Sequence, residues 1–82
     1  MSDEIYQKIE QIMKDVNPSV KGLRKDANLR KDLELDSLDT ISFFFEVEKA
    51  FGIKISEKDI MENSLLNIER LIEFINKKIN SV

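Results

Sequence analysis

Residues 31–41 read Lys-Asp-Leu-Glu-Leu-Asp-Ser-Leu-Asp-Thr-Ile, and the rest of the chain is organised around them. They predict the start of a helix, because the Asp36 side chain can accept hydrogen bonds from the backbone N–H groups of a first helical turn. Asp39 adds a negative charge in that turn, where the helix dipole favours it. Ser37 lies at the tip of this helix beside apolar Leu38, and the same N–H groups can support a phosphate attached to its hydroxyl. Ser37 is therefore the candidate functional residue, with Asp36 and Leu38 as its neighbours in the site.

The length of the chain limits the number of domains, and its composition limits the reactions it could catalyse. With 82 residues, the chain is expected to form one small domain over residues 1–82. Cysteine and histidine are both absent, which removes disulfides, thiolate nucleophiles, the common zinc ligands and histidine bases. Most enzyme mechanisms are therefore disfavoured, and neither a catalytic residue nor a metal site is expected.

Acidic residues are concentrated around and after Ser37. The formal net charge is -3, and residues 34–62 carry three basic and eight acidic side chains. This local charge disfavours nucleic acid and anionic membranes as ligands and favours a partner with a basic patch. No apolar run is long enough to cross a bilayer and no signal-peptide pattern is visible, so a cytoplasmic protein is expected.

Hydrophobic periodicity predicts an all-α fold, a small four-helix bundle with three longer helices and one short one. Asn17-Pro18 and Gly52 are the expected stops of the first two helices. A capping-box pattern at Ser56 and the amide of Asn67 mark the starts of the last two. The expected helices cover residues 3–16, 37–51, roughly 57–62, and the segment that follows Asn67.

The connection over residues 17–35 is long, yet it is expected to be ordered. Apolar side chains recur along it and can anchor it to the core: Val20, Leu23, Ala27, Leu29, Leu33 and Leu35. Its basic residues are better explained as solvated surface than as an anion site.

The second helix is apolar on more than one side. Residues 43–45 are three successive phenylalanines, and consecutive helical side chains point about 100° apart, so they cannot all enter one core. Ile41 and Phe45 are assigned to a more exposed stripe that runs down from Ser37, although an ordinary core position stays equally open for Phe45. The residues assigned to the interior are Phe43, Phe44, Val47 and Phe51.

An extended pattern surrounds Ser37. It combines Asp36-Ser37-Leu38 with Asp32-Leu33 before it and with Phe51 and Ile55 at fixed distances after it. This pattern resembles the prosthetic-group site of the acyl carrier protein family, and the resemblance covers nearly the whole chain. It implies that a phosphopantetheinyl transferase attaches 4′-phosphopantetheine from coenzyme A covalently to Ser37, and that the thiol of this arm holds an acyl group as a thioester. The chain would then be a carrier and not an enzyme.

The resemblance also implies which surfaces meet partners and cargo. Basic docking patches on acyl-transferring or condensing enzymes would meet a contact surface of Asp36, Asp39, Ile41, Phe45 and Glu48. Such charges speed encounter and select partners of a carrier that is expected to be a monomer. The acyl chain would lie in a cleft whose residues would be core in any helical bundle: Leu38, Phe43, Phe44, Val47, Ile60, Leu66, Ile68 and Ile72.

Several positions depart from the family pattern. Glu34 stands where glycine is common, Ser42 where glutamate is usual, and Phe45 where an aliphatic residue is common. Lys49 and Ala50 replace what is often an acidic run. These departures predict a specialised carrier with a dedicated enzyme set instead of a housekeeping carrier of fatty-acid synthesis.

Other interpretations stay open. The chain could be an aminoacyl or peptidyl carrier, although Leu35-Asp36 before the serine favours the acyl type. It could also be a helical protein-interaction module that uses the Ile41–Phe45 stripe without a prosthetic group, with Ser37 only a serine at a helix start. A serine hydrolase is disfavoured, because no histidine is present to activate the hydroxyl.

Overall fold

The computed structural model describes residues 2–19, 23–24 and 26–80, without the side chains of Ser2 and Asp3. Its elements are α1 (Ser2–Val16), α2 (Ser37–Phe51), α3 (Glu57–Glu62) and α4 (Ile68–Asn80). The predicted all-α bundle of three longer helices and one short one is confirmed. The bounds of α2 and α3 are those expected from sequence, and α1 begins one residue earlier.

Local sequence sets both ends of α2. Asp36 has an extended backbone, and its Oδ1 accepts a hydrogen bond from the Asp39 N–H at 2.8 Å. At the other end, Gly52 has φ 65° and donates its N–H to the Glu48 carbonyl at 2.9 Å. Glycine adopts this left-handed conformation without a steric penalty. The predicted start and stop of α2 are therefore confirmed.

The starts of α3 and α4 are also capped as the sequence predicts. Ser56 Oγ accepts from the Asp59 N–H, and Asp59 Oδ2 accepts from the Ser56 N–H, both at 3.1 Å. The Ser56 backbone N–H and then its hydroxyl hold the pKa of the Asp59 carboxyl below its ordinary value, because they stabilise the ionised form. At α4, Asn67 Oδ1 accepts from the Arg70 N–H at 3.0 Å.

The core lies among α1, α2 and α4, with α1 packed against both of the others. The helical residues buried in it are Ile5, Ile9, Ile12, Met13, Phe43, Phe44, Val47, Ile68, Leu71, Ile72 and Ile75. Phe51 differs from its predicted interior position. It is half-buried at the edge of the core, in the last turn of α2, and Lys8 Nζ on α1 lies 5.9 Å from its ring centroid.

The long connection before α2 is held to the rest of the fold. The Leu29 N–H donates to the Leu66 carbonyl at 2.8 Å, and the Ile68 N–H donates to the Ala27 carbonyl at 3.1 Å. The predicted anchors Leu23, Ala27, Leu29 and Leu35 are buried and Leu33 packs against the core, whereas Val20 lies outside the described residues. The described part of this connection is therefore fixed against the segment that leads into α4.

Candidate functional site

Ser37 is the first residue of α2 and is exposed. The first N–H groups of a helix have no partner within the helix. Here the cap residue satisfies two groups of that first turn: the Asp36 carboxylate accepts from Asp39, and the Asp36 carbonyl accepts from Thr40 at 2.9 Å. The cap does not use the N–H groups of Ser37 and Leu38. An exposed hydroxyl and two backbone donors therefore share one helix end, an arrangement that suits a covalently attached phosphate.

A hydrogen-bonded turn lies upstream of this helix end. Asn28 Oδ1 accepts from the backbone N–H groups of Arg30 at 2.9 Å and Lys31 at 3.0 Å. Asp32 Oδ2 in turn accepts from the Asn28 N–H at 2.7 Å. These bonds form a turn that begins at Asn28, which also makes an isolated antiparallel β-bridge with Asn67. The connection that leads into α2 is therefore held in place by hydrogen bonds at this turn.

The last bend before Ser37 is conformationally unusual. Glu34 has φ 55°, the left-handed region that residues with a Cβ avoid. Leu35 then donates its N–H to the Leu29 carbonyl at 3.0 Å, and its side chain is buried. A positive φ at Glu34 means that glycine would suit this position better than a residue with a Cβ.

The predicted stripe lies on the outside of α2. Its residues Ile41 and Phe45 are exposed by 65% and 57%, and Leu38, which was not assigned to it, is exposed by 75%. This exposure settles the alternative left open for Phe45, which is not a core residue. Of the predicted acidic contacts, Asp36 is exposed and Asp39 is half-buried. A contiguous exposed apolar surface of this kind is typical of a protein–protein contact.

Glu48 was also expected on the contact surface, and in the structure its carboxylate accepts a hydrogen bond from the backbone. The side chain is half-buried, and its Oε2 accepts from the Ile55 N–H at 2.7 Å. The bond ties the end of α2 to the connector before α3. No local pattern in the sequence indicates it, because the two residues are seven positions apart across a turn.

Seven of the eight residues expected to line an acyl cleft lie in or against the core. Phe43, Phe44, Val47, Ile68 and Ile72 are buried, and Ile60 and Leu66 are half-buried. Leu38 is the exception. It precedes Phe45 by seven residues and so lies on the same outer side of α2, where it is exposed, and its exposure gives no support to a place in the cleft.

Sequence reasoning missed a cation at the lower end of the stripe. Lys49 Nζ lies 5.3 Å from the ring centroid of Phe45 and 3.3 Å from Glu46 Oε1. Both contacts follow the three- and four-residue spacing of helical neighbours, so the spacing alone would have predicted them. On the other flank of α2, an open depression is lined by Asp15, Val16, Asp39, Ser42 and Glu46.

The described residues contain neither a metal-binding cluster nor a helix that could span a membrane. No group of three or more carboxylate, histidine or cysteine side chains there is placed to hold a metal ion. Among the described helices, none has the length and apolar character that crossing a bilayer requires.

Comparison with known proteins places this geometry in a family context. The family model described as "phosphopantetheine attachment site" matches residues 5–75. An acyl carrier protein of Guillardia theta is 32% identical over 77 residues, which are 93% of each chain. An acyl carrier protein of Rubrobacter xylanophilus is 31% identical over 74 residues, 89% of each chain. A mitochondrial acyl carrier protein of Neurospora crassa is 31% identical over 75 residues, 89% of this chain and 54% of its own length.

Proposed function

This chain belongs to the acyl carrier protein family, and from that membership we propose that Ser37 is the residue to which 4′-phosphopantetheine is attached. The chain is a carrier of acyl groups and not an enzyme. The prosthetic group supplies a thiol on a long flexible arm, and this thiol holds the acyl group as a thioester. A chain without cysteine can therefore take part in thioester chemistry.

The exposed position of Ser37 at the start of α2 is the observation that carries the proposal. In the attachment reaction, Ser37 Oγ forms a bond to one phosphorus of coenzyme A, the pyrophosphate bond breaks, and the adenosine half leaves with the other phosphate. We assign the base that takes the hydroxyl proton to the transferase, since this chain has no histidine and the neighbouring Asp36 carboxylate is engaged by the Asp39 N–H. The N–H groups of Ser37 and Leu38, which the cap does not use, would stabilise the phosphodiester that remains.

Family membership implies two kinds of partner, a phosphopantetheinyl transferase and biosynthetic enzymes that act on the acyl group. We propose that they dock on the outer face of α2. The apolar contacts would come from Ile41 and Phe45, and the charged contacts with basic patches from Asp36, Asp39 and the exposed part of Glu48. The support is the position of this surface, which begins beside Ser37 and is apolar although it faces solvent.

The acyl chain itself would be sheltered among α2, α3 and α4. The helices would have to move apart for the acyl chain to enter between them. The proposed lining consists of Phe43, Phe44, Val47, Ile60, Leu66, Ile68 and Ile72. Phe44→Ala is expected to change the rate of thioester hydrolysis or the preferred chain length. A folded variant with neither property changed would rule this lining out.

The kind of acyl group, the pathway and the cellular location of the chain stay predictions. The named relatives favour an acyl cargo over an aminoacyl or peptidyl one, and fatty-acid synthesis and a specialised pathway are the two candidate settings. A cytoplasmic location is the sequence-based expectation, and one relative carries a mitochondrial name.

The first test is intact mass after incubation with coenzyme A and a broad-specificity phosphopantetheinyl transferase. The wild type is expected to gain one phosphopantetheine, and the Ser37→Ala variant none. If the wild type gains nothing while the same transferase loads another carrier, the chain would be a helical interaction module instead.

A further inference from the structure

The outer face of α2 has an apolar strip that ends at a cation. We define the docking strip as Leu38, Ile41, Phe45 and Lys49. Leu38, Ile41 and Phe45 are exposed, and the Lys49 side chain is 59% exposed. Lys49 follows Phe45 by four residues and Leu38 by eleven, which places it on the same side of the helix.

The Lys49 side chain is held at this position. Its ammonium nitrogen lies over the Phe45 ring, 5.3 Å from the centroid. The negative face of the ring attracts a cation at this distance. Glu46 Oε1, 3.3 Å away, is a second anchor for the same ammonium. A partner that covers Phe45 would therefore lie beside Lys49 as well.

The two ends of the docking strip differ in the kinds of charge they present: carboxylates beside Ser37, and a lysine ammonium together with two carboxylates at the other end. At the Ser37 end, Asp36 and Asp39 are negative. At the other end, Glu46 is paired with Lys49, and Glu48 Oε2 is bonded to the backbone of the connector before α3. Lys49 lies twelve positions after Ser37, which corresponds to about 18 Å along the helix axis and exceeds the distance over which exposed charges interact in physiological salt. Each end therefore acts separately on a partner.

We propose that the enzymes that work with this chain place a carboxylate opposite Lys49, an apolar surface opposite Ile41 and Phe45, and basic groups opposite Asp36 and Asp39. This inference rests on the proposed function and specifies the partner of the same site. Lys49 is then a specificity determinant. An enzyme whose docking patch is basic along its whole length meets a like charge at Lys49, and that juxtaposition costs affinity.

The test compares charge variants of the full-length chain on an acyl-transferring enzyme of fatty-acid synthesis whose docking patch is basic throughout. The variants are Lys49→Gln and Lys49→Glu, and Lys77→Glu on α4 is the control with the same change in net charge. At low salt, Lys49→Glu is expected to raise kcat/KM about 3- to 10-fold, with Lys49→Gln in between, and high salt should remove the difference. An unchanged or lower kcat/KM for Lys49→Glu, or an equal gain for Lys77→Glu, would overturn the proposal.

A charge swap on the enzyme tests the proposed pairing directly. The basic residues of its patch are changed to Glu one at a time, and each variant is assayed with the wild type and with Lys49→Glu. At one position we expect opposite responses: kcat/KM rises with the wild type and falls with Lys49→Glu. If every position affects the two carriers alike, Lys49 faces no charge across the interface and the inference is wrong.

The loading reaction separates a failure of this inference from a failure of the proposed function. If the transferase adds no phosphopantetheine to the wild type, the proposed function is wrong and this inference falls with it. If Ser37 is loaded but the Lys49 variants behave like Lys77→Glu on the acyl-transferring enzyme, only the assignment of Lys49 is wrong.

Discussion

α2 and α4 are similar in length, with 15 and 13 residues, but they distribute their apolar side chains differently. On α4 most of these side chains lie on one buried face that includes Leu71 and Ile75, and Ile79 in the last turn is exposed. On α2 one set enters the core, and a second set, with Ile41 and Phe45, faces solvent. Apolar side chains that remain exposed contribute little to folding. Their presence on α2, beside Ser37, supports the proposal that a partner buries this surface.

The largest expected effect is a difference in stability between phenylalanine substitutions on the buried and exposed faces of α2. Phe43→Ala should lower the free energy of unfolding by about 3–5 kcal/mol, because the ring is fully buried. Phe45→Ala should cost less than about 1 kcal/mol, since its ring is largely exposed. Urea unfolding measures both, and Phe43→Leu serves if Phe43→Ala does not fold. Equal losses at the two positions would contradict the division of α2 into a core face and a docking face.

The next effect is a difference in the rate of Ser37 loading between matched substitutions on the exposed surfaces of α2 and α4. Ile41→Asp should lower kcat/KM of the transferase about tenfold, because it places a charge in the centre of the contact. Ile79→Asp makes the same change at an exposed position of α4 and should leave kcat/KM within about twofold, since α4 is outside the proposed contact. Loading followed by mass spectrometry measures both rates. Similar losses for both variants would mean that α2 has no special role in docking.

The caps of the two helices give a third matched pair. Asp36 and Asn67 each accept a hydrogen bond from a backbone N–H in the first turn of the helix that follows. Asp36→Ala and Asn67→Ala should each lower the free energy of unfolding by about 1 kcal/mol. Only Asp36→Ala should also slow the loading of Ser37. A loading rate that falls equally in both variants would mean that stability, and not the site, controls it.

The smallest expected effect concerns the bends before α2 and α4. Glu34 and Ser64 have φ of 55° and 54°. Glycine removes the penalty for this conformation, which is about 1–2 kcal/mol, but it also increases the entropy of the unfolded chain. Glu34→Gly and Ser64→Gly should therefore each raise stability by roughly 0.5 kcal/mol, which thermal unfolding can detect. A lower midpoint in both variants would show that neither bend is strained.

The parts of the fold that were predictable from sequence depend on near neighbours. The bounds of α2 and α3 follow from Asp36, Gly52 and Ser56, whose capping partners lie three or four residues away. The exposure of Leu38 and the position of Lys49 over Phe45 also follow from helical spacing, although Leu38 was expected to line the acyl cleft.

The remaining parts depend on contacts that local patterns do not encode. The bond from Ile55 to Glu48 crosses the turn after α2. The bonds that join Leu29 to Leu66 and Ile68 to Ala27 connect segments far apart in the chain. They exist only once the helices have packed, so the sequence predicts an ordered connection before α2 but not the partner that holds it.

The central claim, that Ser37 carries the prosthetic group, is tested most directly on the protein purified from its own cells without added transferase. Fragmentation of the intact chain should locate one phosphopantetheine on Ser37, and any acyl group on it should be released by hydroxylamine, which cleaves thioesters. A chain in active cells with Ser37 entirely unmodified, or with the group on another serine, would contradict the account.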